Sequence, residues 1–185
     1  MLDSRQLGEY IDGHFTSTLF RLETLDLYDV DSNGGDLDRY LAGEPGPDMD
    51  RKGPWLDQIR SEVARGLHTY RVHVVRGPLS PYLRFEFEWG YVLNEQAGEH
   101  IRVLDLTEQP EPGGLVRQDF WLIGDDQAVV MHYSPACQFL GADIAPEQDV
   151  PCYRAARDAA WAAAVPFADY WNAHPQYWRG HRSAA

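Results

Sequence analysis

Thr69-Tyr-Arg-Val-His-Val-Val75 and Ile101-Arg-Val-Leu-Asp-Leu106 are two short apolar runs on either side of a segment with helical spacing. In the first run Tyr70, Val72 and Val74 share one face while Arg71 and His73 share the other, the period of a strand. Between the runs, Ser80-Pro81 is a capping hydroxyl followed by proline, the signature of a helix start. The stretch from Tyr82 to Glu95 then reads as a helix whose apolar stripe is Phe85, Trp89 and Val92 or Leu93. Ala97-Gly98-Glu99 ends it. Strand, helix and strand in this order make a βαβ unit, so the two strands are expected to be parallel.

Downstream, Asp119-Phe-Trp-Leu-Ile-Gly-Asp-Asp-Gln-Ala-Val-Val-Met-His-Tyr133 reads as two strands joined by a tight acidic turn. Asp119 opens the hairpin and His132 closes it, which is expected to bring a carboxylate beside an imidazole. Gln138 to Ile144 adds a third antiparallel strand after a Ser134-Pro135 turn. An Ala-rich helix runs from about Pro151 to Asn172, and Pro166 is expected to kink or divide it. Upstream, Pro54 takes the first position of a helix over 54–65 carrying Trp55, Leu56, Ile59 and Val63. A shorter helix starts on Asp36 as its N-cap, carries Leu37, Tyr40 and Leu41, and stops at Gly43. Residues 14–20 read as the start of a strand or a docking arm.

The expected architecture is one mixed α/β domain, α+β-like. Its central mixed sheet has about five strands, with the βαβ unit followed by the antiparallel hairpin and helices over both faces. Residues 1–18 form an N-terminal arm, 19–174 the globular domain and 175–185 a C-terminal tail.

The chain has 185 residues, 44% hydrophobic and 12% aromatic, ample for one packed core. Acidic residues number 29 against 16 basic, a net charge of −13. That sign opposes direct nucleic-acid binding, which needs basic patches, and disfavours anionic membranes. It suits solubility or a basic protein partner. Cys137 and Cys152 lack the spacing of a zinc site and read as free thiols, and no metal or cofactor is expected. There is no apolar leader run and no apolar stretch of roughly 18 residues, so the expected location is the cytoplasm.

Several polar residues are candidate site residues. Arg71, His73 and Arg102 lie on the adjacent parallel strands, and Asp119, His132 and the helix residues Arg84 and Glu86 can supply their partners. Such a cluster is either a structural network or a pocket for a small polar or anionic ligand. Arg84 and Glu88 are four apart and suit a surface pair. Asp29-x-Asp31-x-Asn33-Gly34 matches the first half of a calcium loop, but Tyr40 stands where the closing glutamate belongs, and a helix-capping turn explains the same residues. Trp171, Tyr177 and Trp178 are expected to form an exposed apolar patch suited to a protein partner. No GxSxG elbow, Walker loop or GxGxxG is present.

Taken together, several of these segments resemble the actinobacterial domain of unknown function 6879. The matching elements are Arg71-Val-His-Val-Val75, Pro78-Leu-x-x-Tyr-Leu-Arg-Phe-Glu86, Ala97-Gly-Glu-x-Ile-Arg102, Asp119-Phe-Trp-Leu122, the His132 region and Arg157-Asp-x-x-Trp161. The resemblance runs from about Leu19 to Trp171. It implies no established activity. It implies a regulatory or partner-binding role beside helix-turn-helix regulators. The order of elements also resembles half of a phospholipase D-type fold, whose His-x-Lys motif is absent because Tyr133 and Ser134 follow His132.

The leading expectation is thus a non-enzymatic module acting with a helix-turn-helix regulator. One alternative is a hydrolase or phosphodiesterase-like enzyme with His132 as base, Asp119 orienting it, and Arg71 and Arg102 holding an anion. The other is a small-molecule sensor using the same cluster without chemistry.

Overall fold

Strand β1, Thr18–Glu23, lies at the centre of the sheet and organises the fold in the computed structural model, which describes residues 1–29 and 35–179. Its sequence, Thr-Leu-Phe-Arg-Leu-Glu, carries two charges, yet all six residues are buried or half-buried. β1 pairs in parallel with β2, His68–Val75, and β2 in parallel with β3, His100–Asp105. On the other side of β1 come β4, Phe120–Ile123, β5, Gln127–Tyr133, and β6, Phe139–Ile144, all antiparallel. A two-residue strand β7, Val165–Pro166, closes the far edge beside β3. The seven-stranded order is β6-β5-β4-β1-β2-β3-β7.

The parallel pairing of β2 and β3 and the antiparallel hairpin agree with the sequence pattern. The additional strands are β1 and β7. The strand expected to start within residues 14–20 is β1, which begins at Thr18. A second parallel crossover therefore joins β1 to β2 through α2, Asp36–Leu41, and α3, Met49–Ala64. Helix α3 starts earlier than Pro54 because Asp48 caps it, accepting a bond from the amide of Asp50 at 3.0 Å. Pro54 therefore lies inside the helix, costing it one backbone bond. In α2 the cap is Gly35, whose φ of 83° suits a glycine, and Asp36 is the first helical residue. The remainder of the calcium-like segment, Asp31 to Gly34, lies outside the described residues.

The crossover between β2 and β3 has three parts. α4, Pro81–Phe85, begins with the Ser80 hydroxyl accepting from the amide of Leu83 at 3.0 Å. A π-helical segment follows over Glu86–Tyr91, and α5, Val92–Ala97, ends at Gly98 with φ 112°. Two stripes of this helix are buried. Leu83, Phe87 and Tyr91 meet the sheet. Phe85 and Trp89 face away and pack edge-on against Tyr40 of α2, at ring distances of 5.7 and 5.4 Å.

Each sheet face is covered. On one, Phe20, Leu22, Val72, Val74, Leu104, Phe120 and Leu122 pack against α6, Val150–Ala163. The other is covered by the π-containing helix, by α7, Phe167–Ala173, and by α1, Ser4–His14, whose Leu7 packs on β5 and β6. Pro166 divides the C-terminal helix, leaving β7 and then α7. The N-terminal segment is a helix with a complete capping box from Asp3 and Gln6. The chain beyond 174 is also built in: a short 3-10 turn at Pro175–Tyr177 leads to Arg179, whose guanidinium lies over Tyr40 and Trp89 and pairs with Glu88. Among the described residues no helix is long and apolar enough to cross a membrane.

Candidate functional site

Strand register decides which candidate residues meet. Arg71 stands opposite Arg21, and His73 opposite Glu23, so four charged or titratable side chains project from the same face of β1 and β2. Arg102 stands opposite Val72 and so lies on the other face. Its guanidinium donates to the carbonyls of Trp161 and Ala164 at 2.9 and 3.3 Å and lies over the Trp161 ring. Arg102 thus ties down the last turn of α6 and is absent from the cluster in which the sequence placed it.

The hairpin separates Asp119 from His132 in the same way. Asp119 is buried on the face of Arg21, while His132 shares the opposite face with Asp143, which it meets at 3.0 Å near solvent. The expected carboxylate–imidazole pair is not formed, because residues one apart in a strand register point to opposite sides.

The polar face forms two linked buried groups. In the first, Asp119 accepts from the Thr24 amide at 2.9 Å, the Thr24 hydroxyl at 2.7 Å, the Tyr28 hydroxyl at 2.6 Å and Arg21 Nη2 at 3.1 Å. Arg21 Nη2 also donates to Tyr133 at 2.9 Å, and its guanidinium lies over Trp121. In the second, Glu23 Oε2 accepts from Arg71 at 3.0 Å and from Tyr91 at 2.6 Å. Arg71 Nε donates to Glu99 at 2.7 Å, and Asn94 donates to the other Glu99 oxygen at 2.8 Å. His73, fully buried, lies 2.7 Å from the Tyr91 hydroxyl through Nδ1 and donates from Nε2 to the carbonyl of Leu25.

Burial alone would push the Glu23 carboxyl up. Arg71, the nearby His73 ring and the charge of Arg21 outweigh it and hold the group well below its ordinary range. The hydroxyls of Tyr28 and Tyr91 go the other way, pushed well up by burial and then by the neighbouring carboxylates, so they stay protonated donors.

Glu86 behaves differently. It lies in the π-helical segment and lines two cavities. The larger, about 780 Å³, is walled by Tyr28, Tyr82, Tyr91, Trp121, Tyr133 and Phe139, with Arg21 and Glu23 beneath. The smaller, about 480 Å³, is bounded by Lys52, Trp55, Arg71, Trp89 and Asn94. Among the described residues no donor bonds the Glu86 carboxylate and no cation pairs with it. Burial pushes its carboxyl up, Lys52 pulls it back in part, and the charge of Glu23 raises it further. Burial likewise lowers the Lys52 ammonium. Glu86 Oε1 occupies the space next to Gly90, where an added Cβ would come within 2.7 Å of it. The π-helical turn and a glycine four residues on together make room for this carboxylate, and such turns recur at functional sites.

The remaining predicted residues have other roles. Arg84 does not pair with Glu88. It donates to the carbonyl of Leu79 and lies over Tyr177, while Glu88 is taken by Tyr40 and Arg179. Trp171, Tyr177 and Trp178 are half-buried against the core flank, with the Trp178 indole donating to the carbonyl of Trp171, so the expected exposed patch is largely absorbed into the fold. Cys137 and Cys152 are unpaired. Among the described residues one group could hold a metal: Asp105, Glu108 and His174, with ligand atoms within 4.8 Å. Asp105 already accepts from Thr107 and Tyr170, and His174 meets Glu108, so these bonds clasp α7 to the end of β3.

Sequence reasoning missed Arg21, Glu23, Tyr28, Tyr91 and Glu99. Charged residues in short apolar segments were the available signal, in Phe20-Arg-Leu-Glu23 above all, but without its pairing β1 is not recognisable as a central strand.

The sequence pattern of the family described as Domain of unknown function (DUF6879) matches residues 5–172, and the chain belongs to that family. No curated protein matches the chain.

Proposed function

We propose that this DUF6879 protein is a non-enzymatic ligand-binding module, with the cavity of about 780 Å³ as its recognition site. One observation carries the reading. Beneath the aromatic walls the buried charges are largely satisfied by one another, whereas the carboxylate of Glu86 lines the space without a hydrogen bond from any described residue. Small-molecule sites combine an apolar or aromatic wall with a few convergent polar groups, and this cavity has the size for one. Against catalysis at the residues first considered, His132 and Asp119 lie on opposite faces of the sheet.

The regulatory part of the proposal is that ligand occupancy is passed to a basic protein, a helix-turn-helix regulator being the leading choice. The net charge of −13 supports such a partner, since it favours association with positive surfaces. Co-expression with a helix-turn-helix regulator and gel filtration at low and high salt tests this part. Separate elution at low salt counts against it.

The ligand-binding part is tested by thermal-shift screening against polar metabolites, in parallel with Leu140→Trp. Leu140 lines the cavity and is itself exposed, so a larger ring there obstructs the mouth without entering the core. A ligand at a hundred times its dissociation constant stabilises by about 2.7 kcal/mol. A dose-dependent shift that Leu140→Trp removes is the expected result. A shift that Leu140→Trp leaves intact places binding elsewhere and defeats the reading.

A further inference from the structure

Resting on that ligand-binding reading, the chemistry of the cavity narrows the class of ligand. Two carboxylates line it with oxygens that have no donor among the described residues. Neither the Glu86 carboxylate nor Glu23 Oε1 accepts a hydrogen bond from the described residues, and Arg21 Nε lies 3.7 Å from Glu23 Oε1, beyond hydrogen-bonding range. A carboxylate oxygen can only accept. Both groups line this one cavity. The neighbouring cations leave these oxygens open: Arg71 is committed to Glu23 Oε2 and Glu99, Arg21 Nη2 to Asp119 and Tyr133 while its buried Nη1 bonds none of the described residues, and Lys52 forms no ion pair with Glu86.

The walls are the second element. Tyr28 and Tyr133 meet edge-on at 5.4 Å, with Tyr82 beyond Tyr28 at 6.2 Å. Their hydroxyl ends are held, Tyr28 by Asp119 and Tyr133 by Arg21, so the rings are fixed in place. Aromatic rings beside carboxylates with open oxygens are complementary to a cation with an apolar body. An inorganic cation would leave the aromatic wall unused, and an anion would meet two negative charges.

We propose that the cavity selects an organic cation, with a primary ammonium or guanidinium group between Glu86 and Glu23 and its apolar or aromatic body against Tyr28, Tyr82 and Tyr133. Gly90 is part of this recognition, because any side chain there displaces the carboxylate of Glu86.

Calorimetric titration of the full chain with tyramine, 4-ethylphenol and 4-hydroxyphenylacetate, which share a phenol ring and differ in charge, tests the class. Agmatine, an ammonium and a guanidinium joined by an aliphatic chain, extends the test to a cation without a ring. Tyramine or agmatine is expected to bind at least tenfold more tightly than the neutral and anionic probes. Glu86→Gln and Gly90→Ala are each expected to weaken that binding at least tenfold, the first by removing the charge and the second by displacing it. Circular dichroism confirms that both variants are folded. Equal or tighter binding of 4-ethylphenol or 4-hydroxyphenylacetate, blocked by Leu140→Trp, overturns the ligand class while the cavity remains a binding site. Cation binding that survives both variants overturns the role of Glu86. Failure of both cations to bind overturns the inference, and the metabolite screen then judges the cavity separately.

Discussion

Arg71 of β2 donates to Glu23 of β1 at 3.0 Å while its Nε reaches Glu99 at 2.7 Å, so one guanidinium bridges a neighbouring strand and the end of the crossover helix. The three side chains are 9%, 12% and 0% exposed, and at such burial a charge stripped of its partner is costly. The three groups are therefore a structural network, with Glu23 lining the larger cavity and Arg71 the smaller.

Glu23→Gln is expected to destabilise the fold by about 3–5 kcal/mol, the range for breaking a buried pair. The folded carboxyl of Glu23 is depressed, so its contribution is present above the ordinary carboxylate range and disappears as pH falls through the folded value. Urea unfolding at pH 7 and under strongly acidic conditions should therefore show a large gap between parent and variant at neutral pH and a small one in acid. A gap that does not depend on pH would contradict this account.

Glu86→Gln should act in the opposite direction. The folded carboxyl of Glu86 is raised above 4.5, so the fold favours its neutral form. Below that pH there is no penalty, and as pH rises through the folded value the buried charge costs stability. The variant should melt near the parent temperature at pH 4 and above it at pH 7. A destabilised variant at pH 7 would show that Glu86 is a structural group. A more stable protein with weaker ligand binding is the trade-off expected of a recognition residue.

Arg102→Ala should lower stability by about 1–3 kcal/mol, the cost of leaving buried carbonyls without a donor. The carbonyls concerned are those of Trp161 and Ala164, and the cation–π contact with Trp161 is lost too. Affinity for any cavity ligand should be unchanged, since Arg102 is on the other side of the sheet. A selective loss of binding in a folded Arg102→Ala protein would be incompatible with that placement.

His174 gives a second pH signature. Burial lowers its pKa, but the carbonyl of Tyr170 and the carboxylate of Glu108 more than offset this and leave it raised. Its contribution is thus fully present below 6.5 and is lost as pH rises through the folded value. Glu108→Gln should cost up to about 1 kcal/mol, as a partly exposed pair does, with the difference largest in mild acid. NMR titration of the His174 ring in parent and variant reads the effect directly, and an identical midpoint in both would refute it.

Much of the architecture was legible where a pattern is local. The alternation of Tyr70, Val72 and Val74, the Ser80-Pro81 start and the turn at Gly124 each reflect backbone geometry within a few residues. Pro166 could be read as a break because its ring cannot continue a helix wherever that helix packs. The central place of β1 was not legible. Arg21 and Glu23 are neutralised by Asp119, Arg71 and Tyr91, which are distant in sequence, and nothing within Thr18–Glu23 announces that such partners exist.

The site follows the same division. Arg71, His73, Glu86 and Asp119 were identifiable as polar groups that a covered sheet would have to answer, and each lies on one side of it or in the helix above. Arg102 and His132 were grouped with them because nearness along adjacent strands does not specify a face. A single residue of register moves every side chain of a strand to the opposite side, and register is set by pairing across the whole sheet. By itself the sequence determined the βαβ unit, the hairpin with its third strand, the main helices and the family, since these depend on local periodicity and composition. Only the tertiary structure decided that β1 is central, that Glu86 curls into the space beside Gly90, and which charges satisfy one another, because each of these depends on contacts between segments that only folding brings together.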